Sequence, residues 1–269
     1  MVQKILTLFF AAATVVACST NKITGRSQLH LLPESELQSM GSQQYQQFLS
    51  ENKVVSASAD RDAEMVRRVG SRLANAVEKY FASKGLQKQL EGYKWEYNLV
   101  SNNEANAWCM PGGKIVVYTG LLPYTRNEAA LAIVLGHEIT HAVFQHGNSR
   151  MSQGLLQQLG GVALSVALSQ RPAETQNLFL QSYGVGSTLG VLAFSRSDES
   201  EADHYGLIWA ALAGYNPQEA IPFWERMAQA GGSKPPALLS DHPADDKRIA
   251  DIKKWMPEAM QYYKPVGSR

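Results

Sequence analysis

Cysteine is scarce in this sequence, and neither sign of charge is in excess. Only two of the 269 residues are cysteines, which excludes a disulfide framework and a metal site built from several thiolates. Lys and Arg together number 25 and Asp and Glu 24, so there is no basic surplus for bulk binding to nucleic acid. Any bound metal ion must therefore be held by histidines and carboxylates.

Long hydrophobic runs are also missing, apart from one near the amino terminus. The mostly apolar run Ile5 to Ala17 is too short to cross a bilayer as a helix, and it ends directly before Cys18. It resembles a bacterial lipoprotein signal, although an ordinary secretory signal followed by a chance cysteine is the alternative. We expect residues 1–17 to be removed, lipid on Cys18 to anchor the protein, and residues 18–32 to act as a tether. Ser19 is not acidic, which favours the outer membrane of a Gram-negative-type bacterium, on its periplasmic side.

The rest of the sequence predicts a mainly α protein with a small β-sheet, an α+β fold. Apolar residues recur at helical spacing in most segments and alternate with polar ones in the first predicted strand. The predicted helices are Pro33–Leu49, Asp60–Phe81, Asn127–Phe144, Ser197–Leu212, Pro217–Ala230 and Asp246–Trp255. The predicted strands are Tyr93–Val100, Asn106–Met110 and Lys114–Thr119. We expect a single domain over residues 33–256 and a tail over residues 257–269.

The segment His137-Glu138-Ile139-Thr140-His141 carries the sharpest chemical signal. Positions i and i+4 of a helix lie about 40° apart, so both imidazoles leave one face and can reach one metal ion. Glu138 can sit beside that ion without binding it, where a base for a zinc-bound water is needed. Burying two histidines and a glutamate in an apolar helix without a shared ligand would be costly. The segment therefore predicts a catalytic zinc site.

A zinc site of this kind needs a third protein ligand. One class of zinc enzymes takes a third histidine six residues after the second, but that position is Gly147 here, and His146 is one residue out of register. We interpret His146 as a favourable charge near a helix end. Another class takes a glutamate from a later helix, and Glu199 and Asp203 share a face four residues apart. Glu199 is the preferred ligand, with Asp203 behind a ligand imidazole, and Glu201 is the alternative.

These motifs together resemble the zinc metallopeptidase family of HtpX, BepA, LoiP and the CAAX prenyl endopeptidases. The resemblance rests on four stretches in family order: Asn106-Ala107-Trp108 with Pro111 to Leu121, the His137 to His141 motif, Ser195 to Asp203, and His242-Pro243 with Arg248-Ile249. It implies a gluzincin fold with one zinc ion per chain on His137, His141 and Glu199, and Glu138 as catalytic base. It also implies a role near the zinc for His242, either as a ligand in a resting state or as an oxyanion donor.

Further roles follow from the same resemblance. The strand that contains Asn106 and Ala107 is expected to bind substrate peptide along its edge, with a plain structural hairpin as the alternative. Residues 151–195 could cover the cleft as a lid. The implied function is hydrolysis of unfolded or misassembled envelope proteins by a lipid-anchored metalloendopeptidase. A non-catalytic chaperone-like module for outer-membrane proteins is the alternative.

Overall fold

The computed structural model describes residues 18–159, 172–183, 194–230, 236–242 and 246–265. The strands within these residues are β1 (Cys18–Thr20), β2 (Ser27–Leu29), β3 (Val54–Val55), β4 (Glu96–Val100), β5 (Ala107–Met110) and β6 (Lys114–Tyr118). The α-helices are α1 (Glu34–Glu51), α2 (Arg61–Ser83), α3 (Leu122–Thr125), α4 (Glu128–Val143), α5 (His146–Leu159), α6 (Pro172–Ser182), α7 (Arg196–Leu212), α8 (Ala220–Gln229), α9 (Ala237–Asp241) and α10 (Asp246–Tyr262). The mainly α architecture with a small sheet is thus confirmed. None of the helices in these residues is both long and apolar enough to cross a membrane.

Helix α4 is the centre of the fold. From Ala130 to Val143 every residue is buried, as expected for a helix that is apolar on nearly all sides. Its first turn is capped by Asn127, whose side-chain oxygen accepts a hydrogen bond from the Ala130 N–H at 2.8 Å. Helices α2 and α7 and strand β5 pack around it. Polar residues of this helix can therefore be retained only where other elements supply partners for them.

The main sheet has the strand order β3-β4-β6-β5 within the described residues. Strands β4 and β6 are parallel, and β5 returns antiparallel to β6 through the turn that contains Gly112 and Gly113. Both glycines have φ near +80°, a conformation that residues with a Cβ adopt only at a cost. The turn leaves β5 as the edge strand on the side that contacts α4.

Three segments differ from the sequence prediction. The predicted tether is partly ordered, because β1 and β2 form a hairpin and Leu31 N–H donates to Ser152 Oγ of α5 at 2.9 Å. The helix predicted to reach Phe144 ends at Val143, and Gln145, with φ of +57°, turns the chain so that α5 can begin at His146. Helix α10 continues through Pro257 to Tyr262, seven residues past its predicted end at Trp255.

Candidate metal centre

Helices α4 and α7 touch backbone to backbone at two glycines. A Cβ on Gly136 would lie 2.8 Å from the Gly206 carbonyl oxygen, and a Cβ on Gly206 would lie 2.9 Å from the His137 nitrogen. One turn away, Trp209 Nε1 donates to Thr140 Oγ1 at 2.9 Å and fixes the register of the two helices. This close approach brings the side chains near the start of α7 within reach of the α4 histidines.

The start of α7 is fixed by its own cap. Ser195 Oγ accepts the Asp198 N–H, and the Asp198 carboxylate accepts the Ser195 N–H, which is a capping box. Asp198 is therefore an acidic residue in the first turn of a helix, where the helix dipole favours it. The cap holds the first turn, so Glu199 projects toward α4.

Atoms that could bind a metal ion converge between α4, α7 and the end of α9. They belong to His137, His141, Glu199 and His242, and these metal-donor atoms form the donor cluster. His137 Nε2 lies 3.0 Å from His141 Nε2 and 3.0 Å from His242 Nδ1. Glu199 Oε1 lies 2.8 Å from His242 Nδ1 and 3.4 Å from His141 Nε2, and Glu199 Oε2 lies 3.6 Å from His137 Nε2. The structure thus brings together His137, His141 and Glu199, the three predicted ligands, and adds His242 to them.

The spacing of these atoms fits a zinc ion. Zinc bonds of about 2.0–2.1 Å in a tetrahedron put the ligand atoms about 3.3 Å from one another. The observed separations of 2.8–3.6 Å bracket that value. Nitrogen and carboxylate oxygen are also the donors that zinc prefers in the absence of cysteine. The residues present therefore fit the metal that the sequence predicts.

The charges of His137, His141 and Glu199 are those that metal binding requires, whereas His242 is protonated. Burial lowers the pKa of His137 and lowers the pKa of His141 further, so both rings are neutral and can offer lone pairs. Burial alone would raise the pKa of Glu199, but the neighbouring His242 and His137 outweigh it and hold that pKa well below its usual range. Burial likewise opposes the charge on His242, yet the carboxylates of Glu199 and Glu138 raise its pKa to about 9.

A carboxylate and a guanidinium support His137 from behind. His137 Nδ1 donates to Asp203 Oδ1 at 2.9 Å, and Arg248 Nη2 donates to the same oxygen at 2.6 Å. Arg248 in turn lies over the Trp224 ring, 3.4 Å from its centroid, and donates to the His242 carbonyl at 3.0 Å. Burial opposes the ionisation of Asp203, but Arg248 and His137 lower its pKa. Asp203 therefore occupies the position predicted for it, and Arg248, which the sequence did not assign, holds it there.

Glu138 and His242 face each other beside the donor atoms. Glu138 Oε1 lies 3.6 Å from His242 Nε2, while the other ring nitrogen of His242 belongs to the donor cluster. Both residues line a cavity of about 20 Å³, which has room for about one water molecule. Phe194 closes this cavity by stacking on the His141 ring at 3.9 Å between centroids, and Arg150 lies over Phe194. The described state of the site is therefore closed to a peptide.

Strand β5 runs along the same cavity. It pairs with β6 alone among the described strands, and Ala107 lines the cavity together with Glu138. Asn106 Oδ1 accepts the Ala107 N–H at 2.9 Å. Both predicted substrate-binding residues are buried. Ala107 lies beside the donor atoms, and Asn106 directly precedes β5. Of the predicted lid, residues 160–171 and 184–193 lie outside the described part of the chain, as does the predicted signal at residues 1–17.

His146 differs from the sequence interpretation, and Glu201 is placed as the preference for Glu199 implied. His146 is fully buried, and it contacts His141 and Glu201 instead of lying as a charge near a helix end. Glu201, the alternative ligand, lies away from the donor atoms in a pair with Arg26. Burial opposes its charge, but hydrogen bonds from His146 and Arg26 lower its pKa to about 2. These contacts join residues up to 175 positions apart, which leaves no periodic signal in the sequence.

The sequence profile of peptidase family M48 matches residues 62–256, a stretch that contains every residue of the donor cluster. The chain belongs to this family. M48 members are zinc metallopeptidases, in agreement with the donor set described above. The match covers most of the chain from α2 to α10.

Named M48 relatives come from both mitochondria and bacteria. The mitochondrial metalloendopeptidase OMA1 of Schizosaccharomyces pombe is 36% identical over 168 residues, which cover 62% of this chain and 48% of that protein. OMA1 of Arabidopsis thaliana is 38% identical over 184 residues, covering 66% and 35%. The β-barrel assembly-enhancing protease of Yersinia pestis is 32% identical over 164 residues, covering 59% and 34%. The aligned region spans about half or less of each relative, so the similarity concerns the M48 domain and leaves the cellular compartment open.

Proposed function

We propose that this chain is a zinc metalloendopeptidase that holds one zinc ion on His137, His141 and Glu199. The observation that supports this most strongly is the convergence of three ring nitrogens and one carboxylate, at tetrahedral spacing, between the buried helix α4, helix α7 and the end of α9. His137 and His141 turn their other ring nitrogens to Asp203 and His146, so their two Nε2 lone pairs face each other at 3.0 Å. A purely structural pair would not be stable in this arrangement, because neither Nε2 has a hydrogen to donate.

The chain's own residues supply acid–base chemistry and charge stabilisation. A bound zinc ion acidifies water and polarises a substrate carbonyl. Glu138 takes the proton of the attacking water and returns it to the leaving amine. His242 has two possible duties that its position supports equally: it completes the ligand set in a resting state, or it donates a hydrogen bond to the oxyanion when substrate is bound.

The substrate in this proposal is an extended segment of an unfolded protein. Such a segment would add as a strand along β5 at Asn106 and Ala107, which places a scissile bond beside Glu138. A cavity of about 20 Å³ cannot admit a peptide, so Phe194 and its neighbours must move first. A requirement for an extended chain would restrict cleavage to unfolded or misassembled proteins.

The proposed location is the bacterial cell envelope. Lipid on Cys18 would anchor the domain at residues 33–256 to the outer membrane, facing the periplasm. The lipoprotein-like sequence before Cys18 and the similarity to a β-barrel assembly-enhancing protease support this choice over a mitochondrial one.

The test is cleavage of unfolded casein by the full chain with and without zinc. Wild type should cleave and lose activity to a chelator. Glu138→Gln should bind zinc normally but cleave about a hundred- to ten-thousandfold more slowly, since it cannot accept the proton. Glu258→Gln, a surface change elsewhere, is the matched control and should cleave like wild type. If Glu138→Gln cleaves at the wild-type rate, the proposal is wrong. Zinc binding without cleavage by wild type would favour the chaperone-like alternative.

A further inference from the structure

The two ring nitrogens of His141 face in opposite directions. Its Nε2 points at the donor cluster, 3.0 Å from His137 Nε2, and its Nδ1 lies 3.0 Å from Nδ1 of His146. A metal ligand on Nε2 leaves the ring proton on Nδ1, so His141 is the donor in the second contact and His146 Nδ1 the acceptor. His146 therefore sits behind His141, on the side away from the metal site.

The proton positions in the rest of this chain of contacts follow from that one. Because His146 accepts at Nδ1, its own proton is on Nε2, which lies 3.1 Å from Glu201 Oε2. Arg26 Nε donates to the same carboxylate oxygen at 2.9 Å. Each hydrogen bond from His141 through His146 to Glu201 thus has one donor and one acceptor, and the guanidinium of Arg26 neutralises the Glu201 carboxylate.

The other metal imidazole has the same kind of support. His137 donates to a carboxylate, Asp203, which a guanidinium, Arg248, holds in place. His141 is supported by the same pair of groups, the Glu201 carboxylate and the Arg26 guanidinium. Here the imidazole of His146 lies between His141 and the carboxylate. Each of the two histidines is thus supported by an acid–arginine pair, which is buried behind His137 and partly exposed behind His141.

A second metal ion does not explain His146, Asp198 and Glu201, although their oxygen and nitrogen atoms lie close together. The guanidinium of Arg26 already lies among them, 2.7 Å from Glu201 Oε2 and in contact with Asp198. It supplies the positive charge that a cation would bring, and it would repel another. Nδ1 of His146 is also engaged by His141.

We propose that His146 is a positioning residue for the zinc site, which fixes the tautomer and orientation of His141 and is itself held by Glu201 and Arg26. This rests on the proposed function, because it requires that His141 bind the metal. Arg26 directly precedes β2, so the amino-terminal hairpin next to Cys18 becomes part of the support of the metal site. Contacts of the following residues with α5, such as Leu31 N–H to Ser152 Oγ, keep the hairpin in place.

The test compares zinc affinity in the full chain for His146→Leu and His146→Asn. The two side chains branch alike and have the same number of non-hydrogen atoms, but only asparagine offers an acceptor near the position of Nδ1. We expect leucine to raise the zinc dissociation constant about ten- to a hundredfold and asparagine to stay within about threefold of wild type. The visible spectrum of the Co²⁺-loaded chain should change in the leucine variant and be close to wild type in the asparagine variant.

Glu201 and Arg26, which hold His146, can be tested separately against a matched control. Glu201→Gln and Arg26→Met should each weaken zinc binding about threefold or more while the zinc-free chain stays folded. His204→Leu removes another His–Glu pair of helix α7, His204 with Glu258, and should leave zinc affinity unchanged. Because Arg26 is partly exposed, its variant keeps the inference testable even if the buried leucine prevents folding.

The outcomes separate this inference from the proposed function. If wild type binds zinc stoichiometrically and all folded variants bind it within twofold of wild type, the role of His146 is refuted and the metal site stands. If asparagine and leucine weaken binding equally, the effect is one of packing and the inference is also refuted. If wild type binds no zinc, the proposed function fails and this inference fails with it.

Discussion

Replacing Gly206 by alanine should damage the metal site far more than the fold. The added Cβ would lie 2.9 Å from the His137 nitrogen, where ordinary contacts begin near 3.4 Å. Helices α4 and α7 would therefore have to separate by about 0.5 Å, since the obstacle is backbone and cannot rotate away. Metal ligand distances are fixed to within about 0.2 Å, so this displacement moves Glu199 out of range of the site.

The effect on stability is smaller because two contributions oppose each other. Overpacking costs about 1–3 kcal/mol, and alanine in place of glycine within a helix returns about 1 kcal/mol. We expect a net loss of about 0–2 kcal/mol in the free energy of unfolding of the zinc-free chain, but a fall in zinc affinity of at least about tenfold.

The assay is chelator competition for zinc together with urea unfolding in EDTA. Gly41→Ala is the control, because its Cβ would also meet a backbone atom, the Pro111 oxygen at 3.0 Å, but from helix α1, which carries no residue of the metal site. It should lose a similar amount of stability and keep its zinc affinity. A folded Gly206→Ala chain with wild-type zinc affinity would refute the reasoning.

Three further predictions concern buried charges and the buried thiol. Arg248→Met should destabilise the zinc-free chain by about 3–5 kcal/mol in urea unfolding, because it leaves the Asp203 carboxylate buried without its cation. Adding Asp203→Asn to this variant should recover part of the loss. An Arg248→Met chain within about 1 kcal/mol of wild type would contradict this prediction. Glu201 has a pKa lowered to about 2 from an ordinary 4.5, so its contribution is complete above about pH 4.5 and is lost as the pH falls toward 2. Between about pH 4.5 and 2, the free energy of unfolding measured in EDTA should fall by about 2 kcal/mol more for wild type than for Glu201→Gln. Two chains whose stability depends on pH in the same way would contradict the pairing of Glu201 with His146 and Arg26. Burial raises the pKa of the Cys109 thiol, so in a Cys18→Ser chain, where it is the one thiol left, it should react with a thiol reagent only in denaturant. Rapid labelling of that native chain would show that β5 is open to solvent.

The local parts of the site were predictable because they depend on spacing within one helix. The four-residue intervals between His137 and His141 and between Glu199 and Asp203 indicated which side chains share a face, and the structure brings those faces together. The apolar residues around His137 indicated a buried helix, which is confirmed as α4. Periodicity also predicted the α+β class.

The supporting residues were not predictable because they act across long sequence separations. Arg248 meets Asp203 from 45 positions away, and Arg26 meets Glu201 from 175. His146 follows the helix of the metal ligands so closely that it resembled a terminal charge, and only the left-handed turn at Gln145 returns its ring beneath His141. Such contacts depend on tertiary packing, which local patterns do not record.

The proposed zinc site is tested most directly by a crystal structure of the zinc-loaded full chain with anomalous data at the zinc edge. We expect one strong peak bonded to Nε2 of His137, Nε2 of His141 and the carboxylate of Glu199. An empty position there, or a peak seated instead among His146, Asp198 and Glu201, would contradict the proposed site.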